Sequence, residues 1–344
     1  MHPISDKLII WFKKNKRDLP WRNTLDAYKI WLSEIMLQQT QVAQGLSYYL
    51  KFTETFPTVV DLANAPEDQV MRLWQGLGYY SRARNLHAAA KHIALKHNGQ
   101  FPKTYLEIKE LKGVGDYTAA AIASFAFDLP YAVVDGNVYR VLSRLFNLNT
   151  PINSSQGKKD FQLLADELLN KKKAALHNNA IMELGALCCK PQNPLCETCP
   201  LQSNCMAYAN KTVSLLPVKT GKTKIKNRYF NYIVFNYKNT TYISKRTKKD
   251  IWQNLYEFFL IETDAPVNTE TLFKHPELVE LNHTFTITKI TEAKKHILSH
   301  QHLHSVFYEI NLSVPLKIKG FIEVDKVLLS NYGFPQLINK YLEK

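Results

Sequence analysis

Apolar residues recur at helical spacing through most of the first 210 positions. Short stretches rich in Gly, Pro and Asn separate the periodic segments. We therefore expect this part of the chain to be mainly α. The pattern predicts helices over Lys7–Lys14, Ile30–Phe52, Ala83–Lys96, Thr118–Phe127 and Asp160–Asn170.

Beyond residue 228 the pattern changes, because β-branched and aromatic residues become frequent and partly alternate with polar ones. This pattern indicates an α+β domain. The strands are predicted at Tyr229–Tyr237, Thr241–Lys245, Leu255–Glu262 and Val306–Leu312, and helices at Thr291–Leu298 and Pro335–Leu342.

The segment between the two regions is basic and contains no acidic residue. Its composition, with Pro217, Gly221 and a run of basic residues, favours an exposed linker. The run consists of Lys219, Lys222, Lys224, Lys226 and Arg228. We expect a helical domain over residues 1–210, a linker over 211–228 and a second domain over 229–344.

The chain has 344 residues and a net charge of +14, and 45% of its residues are hydrophobic. That length suggests about two domains, and the charge favours a polyanionic partner, nucleic acid before an anionic membrane. The N-terminus makes a poor signal peptide, and no apolar window is long enough for a membrane span. We expect a cytoplasmic protein, because crowded thiols without a secretory signal indicate a reducing compartment.

Four of the five cysteines form a C-x6-C-x2-C-x5-C run within 17 residues. The members of the run are Cys189, Cys196, Cys199 and Cys205, and Cys188 is the spare thiol. Four thiolates in one short loop bind a soft metal centre. The spacing alone leaves open whether that centre is an iron–sulfur cluster or a tetrahedral zinc.

Four further segments have residue types suited to DNA chemistry. In Leu111–Ile122, Gly113 and Gly115 allow a tight turn before a helix that starts near Asp116. Backbone N–H groups at such a turn suit a phosphate oxygen. A simple packing corner between two helices is an equally good interpretation of this segment.

In Ala132–Arg144, Asp135 precedes Gly136 and Asn137 at a predicted helix start. A helix cap explains most such sequences, whereas the functional interpretation is a carboxylate held beside a developing positive charge. In Trp31–Val42, the side chains of Glu34, Gln38 and Gln41 are spaced to share one helical face. A solvated face is the ordinary interpretation of such a stripe.

In Trp74–Leu86, two glycines precede Tyr79 and Tyr80, and Arg82 and Arg84 follow. Aromatic side chains beside arginines at a turn can wedge between bases and hold phosphates. The plainer interpretation is a turn between helices with packing tyrosines.

Together with the cysteine loop, these segments resemble the helix–hairpin–helix DNA glycosylases that carry a four-cysteine iron–sulfur cluster. The resemblance is strongest to adenine DNA glycosylases of the MutY type, and it covers nearly the whole chain. It implies a [4Fe-4S] cluster, a helical glycosylase domain and a Nudix-like C-terminal domain. It also implies base-excision repair of adenine mispaired with 8-oxoguanine or guanine in double-stranded DNA, by base flipping and acid-assisted cleavage through an oxocarbenium ion.

The resemblance assigns a role to each matching residue. Glu34 matches the catalytic acid, and Asp135 matches the carboxylate that stabilises the sugar cation, with Asn137 as a polar neighbour. Tyr117 lies where related glycosylase/lyases carry a Schiff-base lysine, so we expect a monofunctional glycosylase. Gly113 and Gly115 match the phosphate-binding hairpin.

Other matches concern substrate binding. Gln38 and Tyr79 match residues that enter the helix around the lesion, and Arg17 and Leu19 match contacts near the oxidised guanine. Asn179 stands where relatives have Gln or Glu facing the adenine edge, so the shorter amide is a departure from the family pattern.

The C-terminal region resembles the family's Nudix-like domain, and Ile251–Phe258 matches its characteristic strand entry. No acidic Nudix metal box is present in the sequence, so we do not expect pyrophosphate hydrolysis. Ser299 and His300 match a loop that senses the oxidised base, with Leu298 in place of Phe. His300, His302 and His304 alternate, and we favour a DNA-contact loop entering a strand over a metal site.

Three other functions remain open from the sequence: a pyrimidine glycosylase/lyase of the endonuclease type, a non-enzymatic iron–sulfur DNA-binding or redox-sensing protein, and a membrane-surface protein. Tyr117 and the long C-terminal domain speak against the first. A non-enzymatic iron–sulfur protein would need no paired carboxylates, so Glu34 and Asp135 favour an enzyme. A membrane-surface protein would need a strongly basic amphipathic helix, and none stands out in the sequence. We expect a monomer associated with the nucleoid.

Overall fold

The computed structural model describes residues 3–221, 224–281, 285–292 and 294–343. Backbone contacts divide the chain into two units. The first consists of Met1–Asn64 and Asn85–Gly221, and the second of Ala65–Arg84 and Lys222–Lys344. Lys222, which the predicted linker includes, lies outside the described residues.

Helices dominate the chain up to residue 210, as the periodicity predicts. They are α1 Pro3–Asn15, α2 Ala27–Met36, α3 Val42–Thr55, α4 Val59–Asn64, α5 Glu67–Leu73, α6 Ser81–Lys96, α7 Tyr105–Glu110, α8 Asp116–Phe127, α9 Gly136–Leu145, α10 Ser155–Leu168, α11 Ala174–Leu187 and α12 Met206–Ala209, with short 3-10 turns at Pro20–Arg22, Gln202–Asn204 and Val213–Leu215.

The predicted helix over Ile30–Phe52 is two helices, α2 and α3. The chain turns between them, and Gln39 adopts a left-handed conformation with φ of 55°. Since α2 ends at Met36, Gln38 and Gln41 do not share a helical face with Glu34. The predicted stripe is therefore wrong, although the turn keeps Gln38 close to the same cavity as Glu34.

A continuous apolar core joins α1, α9, α10 and α11 in the first unit. Its fully buried members include Leu8, Leu142, Phe161 and Leu184, which come from these four helices in turn. The start of α9 and the inner face of α11 are fixed against this core. Burial of such large side chains contributes about 1.5–3 kcal/mol each.

A mixed sheet forms the centre of the second unit. Its strands are β1 Lys226–Tyr237, β2 Thr240–Lys245, β3 Tyr256–Glu257, β4 Phe259–Thr263, β5 Thr286–Ile290, β6 Lys294–Ile297, β7 Gln301–Asn311 and β8 Phe321–Asp325. The long strand β1 pairs in parallel with β7 and antiparallel with β2 and β4. Helices α13 Thr269–Phe273, α14 Pro276–Val279 and α15 Gln336–Leu342 accompany the sheet.

Two expectations for this region are wrong. The predicted helix Thr291–Leu298 contains β6, which pairs antiparallel with β7 from Lys294↔Ser305 to Ile297↔His302. The pairing partner outweighs the helical preference of the Ala and Lys residues there. Ala293 itself lies outside the described residues.

Arg228, which composition assigns to an exposed linker, instead lies in β1 and is buried. It forms ion pairs with Asp250 at 2.7 Å and Glu262 at 2.6 Å, so distant acidic residues neutralise it. None of the helices in the described ranges is both long enough and apolar enough to cross a bilayer.

Candidate active site

A cavity of about 680 Å³ in the first unit brings together the residues predicted for catalysis. Glu34, Tyr117, Asp135 and Asn137 all contribute to its wall. The residues predicted to touch substrate in this unit also line the cavity, namely Arg17, Leu19, Gln38 and Asn179. Five separate parts of the sequence therefore meet at one site.

Glu34 lies in α2 and is 8% exposed. The phenol of Tyr117 in α8 donates a hydrogen bond of 3.0 Å to Glu34 Oε2. Burial raises the pKa of Glu34 to about 7, and the charge of Asp135 adds to that effect, whereas the Tyr117 hydrogen bond and Arg22 oppose it. A substantial fraction of Glu34 is therefore protonated at neutral pH.

Asp135 caps the N-terminus of α9, so the helix-cap interpretation is correct and compatible with a catalytic one. Its Oδ1 accepts from the Val138 N–H at 2.8 Å, and its Oδ2 accepts from Asn137 Nδ2 at 2.7 Å. Burial raises the pKa of Asp135 above its ordinary value, and these two donors limit the rise. The donors also fix the direction of the carboxylate.

Arg140 holds Asn137 in turn. Its guanidinium donates to Asn137 Oδ1 at 2.8 Å, to the Gly185 carbonyl at 2.7 Å and to the Cys189 carbonyl at 2.6 Å. The cysteine loop and the amide beside Asp135 are thus joined through one buried side chain.

Glu183 in α11 is fully buried and was not identified from the sequence. Arg17 donates to it from Nε at 3.0 Å and from Nη2 at 2.6 Å, and Arg22 donates from both terminal nitrogens at 2.8 Å. Burial opposes the ionisation of Glu183, but the two arginines outweigh it and lower its pKa to about 2. The sequence does contain an indication that Glu183 is unusual, because it is the only Asp, Glu, Lys or Arg in α11.

Asn179 and Leu19 take less open positions than the predicted roles suggest. The Asn179 amide donates back to the Ala175 carbonyl at 3.0 Å, which leaves its oxygen and its second N–H for a ligand. Leu19 is 6% exposed and contributes an apolar wall. Gln38 donates to Thr118 Oγ1 at 3.2 Å, which ties the turn after α2 to α8.

The hairpin between α7 and α8 contains Gly113 and Gly115. Gly113 has φ of 83°, and a Cβ there would lie 2.7 Å from Asn85 Cβ, so both the turn and the packing require glycine. Gly115 caps α8 in extended backbone, and a Cβ there would meet open space. Gly115 is also exposed, and the binding of a phosphate at this hairpin stays a prediction.

Tyr79 lies in the second unit with Ser299 and His300. The Tyr79 and Ser299 hydroxyls are 2.5 Å apart, and both residues line a cavity of about 560 Å³ together with His300. Tyr79 has φ of 47° and is 42% exposed. The Arg82 guanidinium lies over both the Trp74 and the Tyr79 rings, at 5.3 and 5.4 Å, and so supports the turn.

The side chains of Cys189, Cys196, Cys199 and Cys205, together with the spare Cys188, line a small, almost wholly apolar cavity of about 30 Å³. All four are free thiols, and Arg144 Nη1 lies 3.4 Å from Cys189 Sγ. Across the described part of the chain, no three His, Cys, Asp or Glu side chains converge as ligands of a single ion. Four thiols on one cavity are the donor set that an iron–sulfur cluster or a tetrahedral zinc requires.

The alternating histidines lie at the bend before β7 and in the first residues of that strand. His304 Nε2 lies 3.0 Å from Asn227 Oδ1, and its ring stacks on Tyr229 at 4.9 Å. His300 lies at the bend before β7, and His302 follows within that strand. This arrangement is the predicted loop running into a strand.

Three family models match the chain. Residues 32–167 match the HhH-GPD superfamily base excision DNA repair protein model, residues 189–205 match the iron-sulfur binding domain of endonuclease III, and residues 231–344 match a NUDIX domain. The second match coincides with the cysteine run, so this loop is the site of a [4Fe-4S] cluster, held by four cysteines.

Curated proteins and solved structures are also similar to this chain. A thermostable thymine-DNA glycosylase structure has a TM-score of 0.56 and 29% identity, and the match covers 60% of this chain and 95% of that one. An adenine DNA glycosylase of Buchnera aphidicola subsp. Schizaphis graminum is 32% identical over 351 residues, which cover 100% of this chain and 99% of the relative. Another from Buchnera aphidicola subsp. Baizongia pistaciae is 36% identical over 336 residues, or 96% of this chain and 92% of the relative. With a cavity that unites Glu34 and Asp135 and a relative matched over nearly its full length, the chain belongs to the adenine DNA glycosylase family.

Proposed function

We propose that this protein is a monofunctional glycosylase that hydrolyses the N-glycosidic bond of adenine paired with 8-oxoguanine or guanine in duplex DNA. The observation that carries the proposal is the meeting of Glu34, Tyr117 and Asp135 on the wall of one cavity. A cavity of about 680 Å³ is large enough for an extruded nucleotide. A base must leave the stack before side chains can reach its glycosidic bond.

The two carboxyl groups have different roles in the proposed reaction. Protonated Glu34 donates to N7 of the adenine, which makes the base a better leaving group. Ionised Asp135 faces the sugar as positive charge develops there, and it stabilises the oxocarbenium ion electrostatically or by a bond to it. Water then adds to the sugar and leaves an abasic site.

The surroundings support opposite protonation states for the two acids. Glu34 has burial and a nearby negative charge in favour of its neutral form. Burial raises the pKa of Asp135 as well, but two donors to its oxygens and a nearby guanidinium oppose that rise and favour its ionised form. Different environments are the general means by which paired carboxyl groups take different roles.

Tyr117 is the reason for proposing a monofunctional enzyme. A phenol bonded to Glu34 provides no amine for a Schiff base with the opened sugar. The bifunctional alternative needs a lysine amine where Tyr117 stands; among the described residues that line the cavity, the one lysine is Lys16, which follows α1 and lies at a different position.

Recognition of the partner base is assigned to the second unit. Tyr79 matches a residue that enters the helix, and its hydroxyl contacts Ser299 beside His300. The proposal is that this pair senses the oxidised guanine opposite adenine. The [4Fe-4S] cluster, when bound by its four cysteines, has no open coordination position and stabilises the loop that carries Lys190.

One assay tests the function. Duplexes containing A opposite 8-oxoguanine, A opposite G, or thymine glycol are incubated with the protein and then treated with alkali. We expect cleavage only of the adenine-containing strand, and only after alkali, because the protein leaves an intact abasic strand. Cleavage at thymine glycol, or nicking without alkali, contradicts the proposal.

Two variants separate an enzyme from a DNA-binding protein. Glu34→Gln is expected to bind the mismatch and release no adenine, because an amide cannot donate the required proton. Asp135→Asn is expected to be inactive as well, because a neutral amide does not balance the cation. Near-normal single-turnover rates in either variant contradict the assigned roles.

A further inference from the structure

Glu183 is the most deeply buried acidic side chain on the wall of the cavity that Glu34 and Asp135 line. Its carboxylate instead accepts four side-chain hydrogen bonds of 2.6–3.0 Å from Arg17 and Arg22, and a fifth from the Arg17 backbone at 2.8 Å. Two bidentate guanidinium groups on one carboxylate leave each arginine little freedom to turn.

Both arginines line this cavity, and they come from the segment between α1 and α2, Arg17 from the loop after α1 and Arg22 from the end of the 3-10 turn Pro20–Arg22. Glu183 comes from α11, which packs in the core of the unit. The carboxylate therefore anchors a loop wall of the cavity to a rigid helix. A backbone N–H of the loop is included in this anchor, so the position of the chain at Arg17 is fixed as well as its side chain.

The charge arrangement connects Glu183 to Glu34. The ionisable groups that act on Glu34 are Tyr117 from α8, Asp135 from the start of α9 and Arg22 from the turn before α2. Arg22 favours the ionised form of Glu34, and Glu183 is the negative group bonded to Arg22. Glu183 thus reduces the positive potential that reaches Glu34.

We propose that Glu183 is a positioning residue, which holds Arg17 and Arg22 on the cavity wall and cancels one of their two charges. An extruded base then meets two fixed guanidinium groups, and Glu34 is shielded from an unbalanced positive charge. This inference rests on the proposed function, because it concerns the proton that Glu34 delivers to adenine.

A structural ion pair would be the simpler explanation, and buried ion pairs are weak evidence for stability. The two explanations differ in what they predict for Glu34. If Glu183 only stabilises the fold, its replacement lowers the population of folded protein and leaves the titration of Glu34 unchanged. If it controls the charge at the wall, replacements of Glu183 and of Arg22 shift that titration in opposite directions.

The test is a carboxyl ¹³C NMR titration of the full chain carrying its cluster, with the Glu34 signal assigned by its absence in Glu34→Gln. We expect Glu183→Gln to lower the Glu34 midpoint by about one pH unit, because the arginine charge is no longer balanced. We expect Arg22→Gln to raise it, and Glu183→Asp, which keeps the charge, to restore most of the shift. The Arg22→Gln measurement decides the question if Glu183→Gln does not fold.

Unchanged midpoints, or shifts of the same sign in Glu183→Gln and Arg22→Gln, overturn the proposal. The titration needs no DNA, so it does not depend on adenine release. The same variants are then assayed for single-turnover adenine release as a function of pH, where the alkaline limb is expected to follow the measured midpoints. Absence of adenine release by the native protein would overturn the proposed function and leave the titration result to stand by itself.

Discussion

The Tyr117 hydroxyl donates to Glu34 Oε2 at 3.0 Å, although the two residues are 83 positions apart in the chain. The contact fixes the carboxyl group of Glu34 on the cavity wall and links α2 to α8. It also lowers the pKa of Glu34, against the larger effect of burial that raises it. Tyr117 therefore influences how much of Glu34, the proposed acid, is protonated at a given pH.

Removal of this hydroxyl is expected to extend activity to higher pH. In Tyr117→Phe the ionised form of Glu34 loses a hydrogen bond, so its pKa rises further above its ordinary value. The alkaline limb of single-turnover adenine release, measured from pH 6 to 10, should move up by about half a unit or more. An alkaline limb that stays at the same pH or moves to lower pH contradicts the assignment of Glu34 as the acid.

The same position tests the reaction type. Tyr117→Lys places an amine where the glycosylase/lyases carry theirs, so borohydride should trap some covalent protein–DNA complex in this variant and none in the native protein. Tyr117→Phe is the matched control, because it removes the phenol without supplying an amine. Trapping by the native protein would instead favour the bifunctional alternative.

The titration of Glu34 is also expected to lower the free energy of unfolding of the native protein as pH rises to neutrality and above. The unfolded chain releases this proton near pH 4.5, whereas the folded protein keeps it until about pH 7, so the free energy of unfolding falls as pH rises between these values. The free energy of unfolding of Glu34→Gln minus that of the native protein should therefore rise by about 2–3 kcal/mol from pH 5 to pH 8.

Urea unfolding of both proteins at the two pH values measures this change. Glu257, which is also buried and has a pKa raised to about 7, is unaltered in the variant and cancels from the comparison. A difference between the two proteins that does not depend on pH would show that Glu34 is ionised throughout.

Much of the catalytic cavity was predictable because its residues lie in local patterns. A helix start at Asp135, a lone Glu34 in an apolar helix and a short cysteine run are all visible within a few positions of sequence. The structure adds that α2 ends at Met36, which neither the periodicity nor the resemblance indicates. Turn residues such as Gln39 at positive φ decide that boundary.

Features that depend on distant contacts were not predictable. Asp68 pairs with Lys245 and Glu67 accepts from Asn254, across 177 and 187 residues, and such contacts place residues 65–84 in the second unit. Strand β6 was predicted as a helix because its partner β7 is not encoded in its own sequence. Glu183 was overlooked because its role depends on two arginines about 160 positions earlier.

The cysteine assignment gives a matched pair of variants. Cys196→Ser removes one of the four thiols around the cavity, so we expect loss of most iron and sulfide and of the visible absorbance. Cys188→Ser alters the neighbouring buried thiol, whose Sγ is 3.3 Å from the Leu195 carbonyl, and should retain the cluster. Equal iron contents in the two variants would contradict the ligand set.

Arg140 is expected to couple the cysteine loop to Asp135. A lysine at this position cannot serve Asn137 Oδ1 and the carbonyls of Gly185 and Cys189 together, and buried acceptors left unpaired cost about 1–3 kcal/mol each. Arg140→Lys should reduce single-turnover adenine release by about tenfold or more. Arg144→Lys is the control, because Arg144 bonds the cysteine loop at Lys190 and Pro191.

The two variants should therefore differ. Both are expected to speed the loss of iron to a chelator, but only Arg140→Lys should lower adenine release per iron-loaded molecule. Activity that falls in proportion to iron content in both variants would mean that Arg140 acts only on the loop.

The contact between the Tyr79 and Ser299 hydroxyls predicts how selectivity for the partner base is lost. Tyr79→Phe keeps the ring over Arg82 and removes only the hydroxyl that meets Ser299, and Ser299→Ala removes the other half of the same contact. Each variant should lower the ratio of single-turnover rates on A opposite 8-oxoguanine and A opposite G by several-fold, with little change on A opposite G. Because the two hydroxyls form one contact, the double variant should lose no more than either single variant. If both substrates slow equally, or if the losses add, the pair supports the fold of the turn and does not sense the oxidised base.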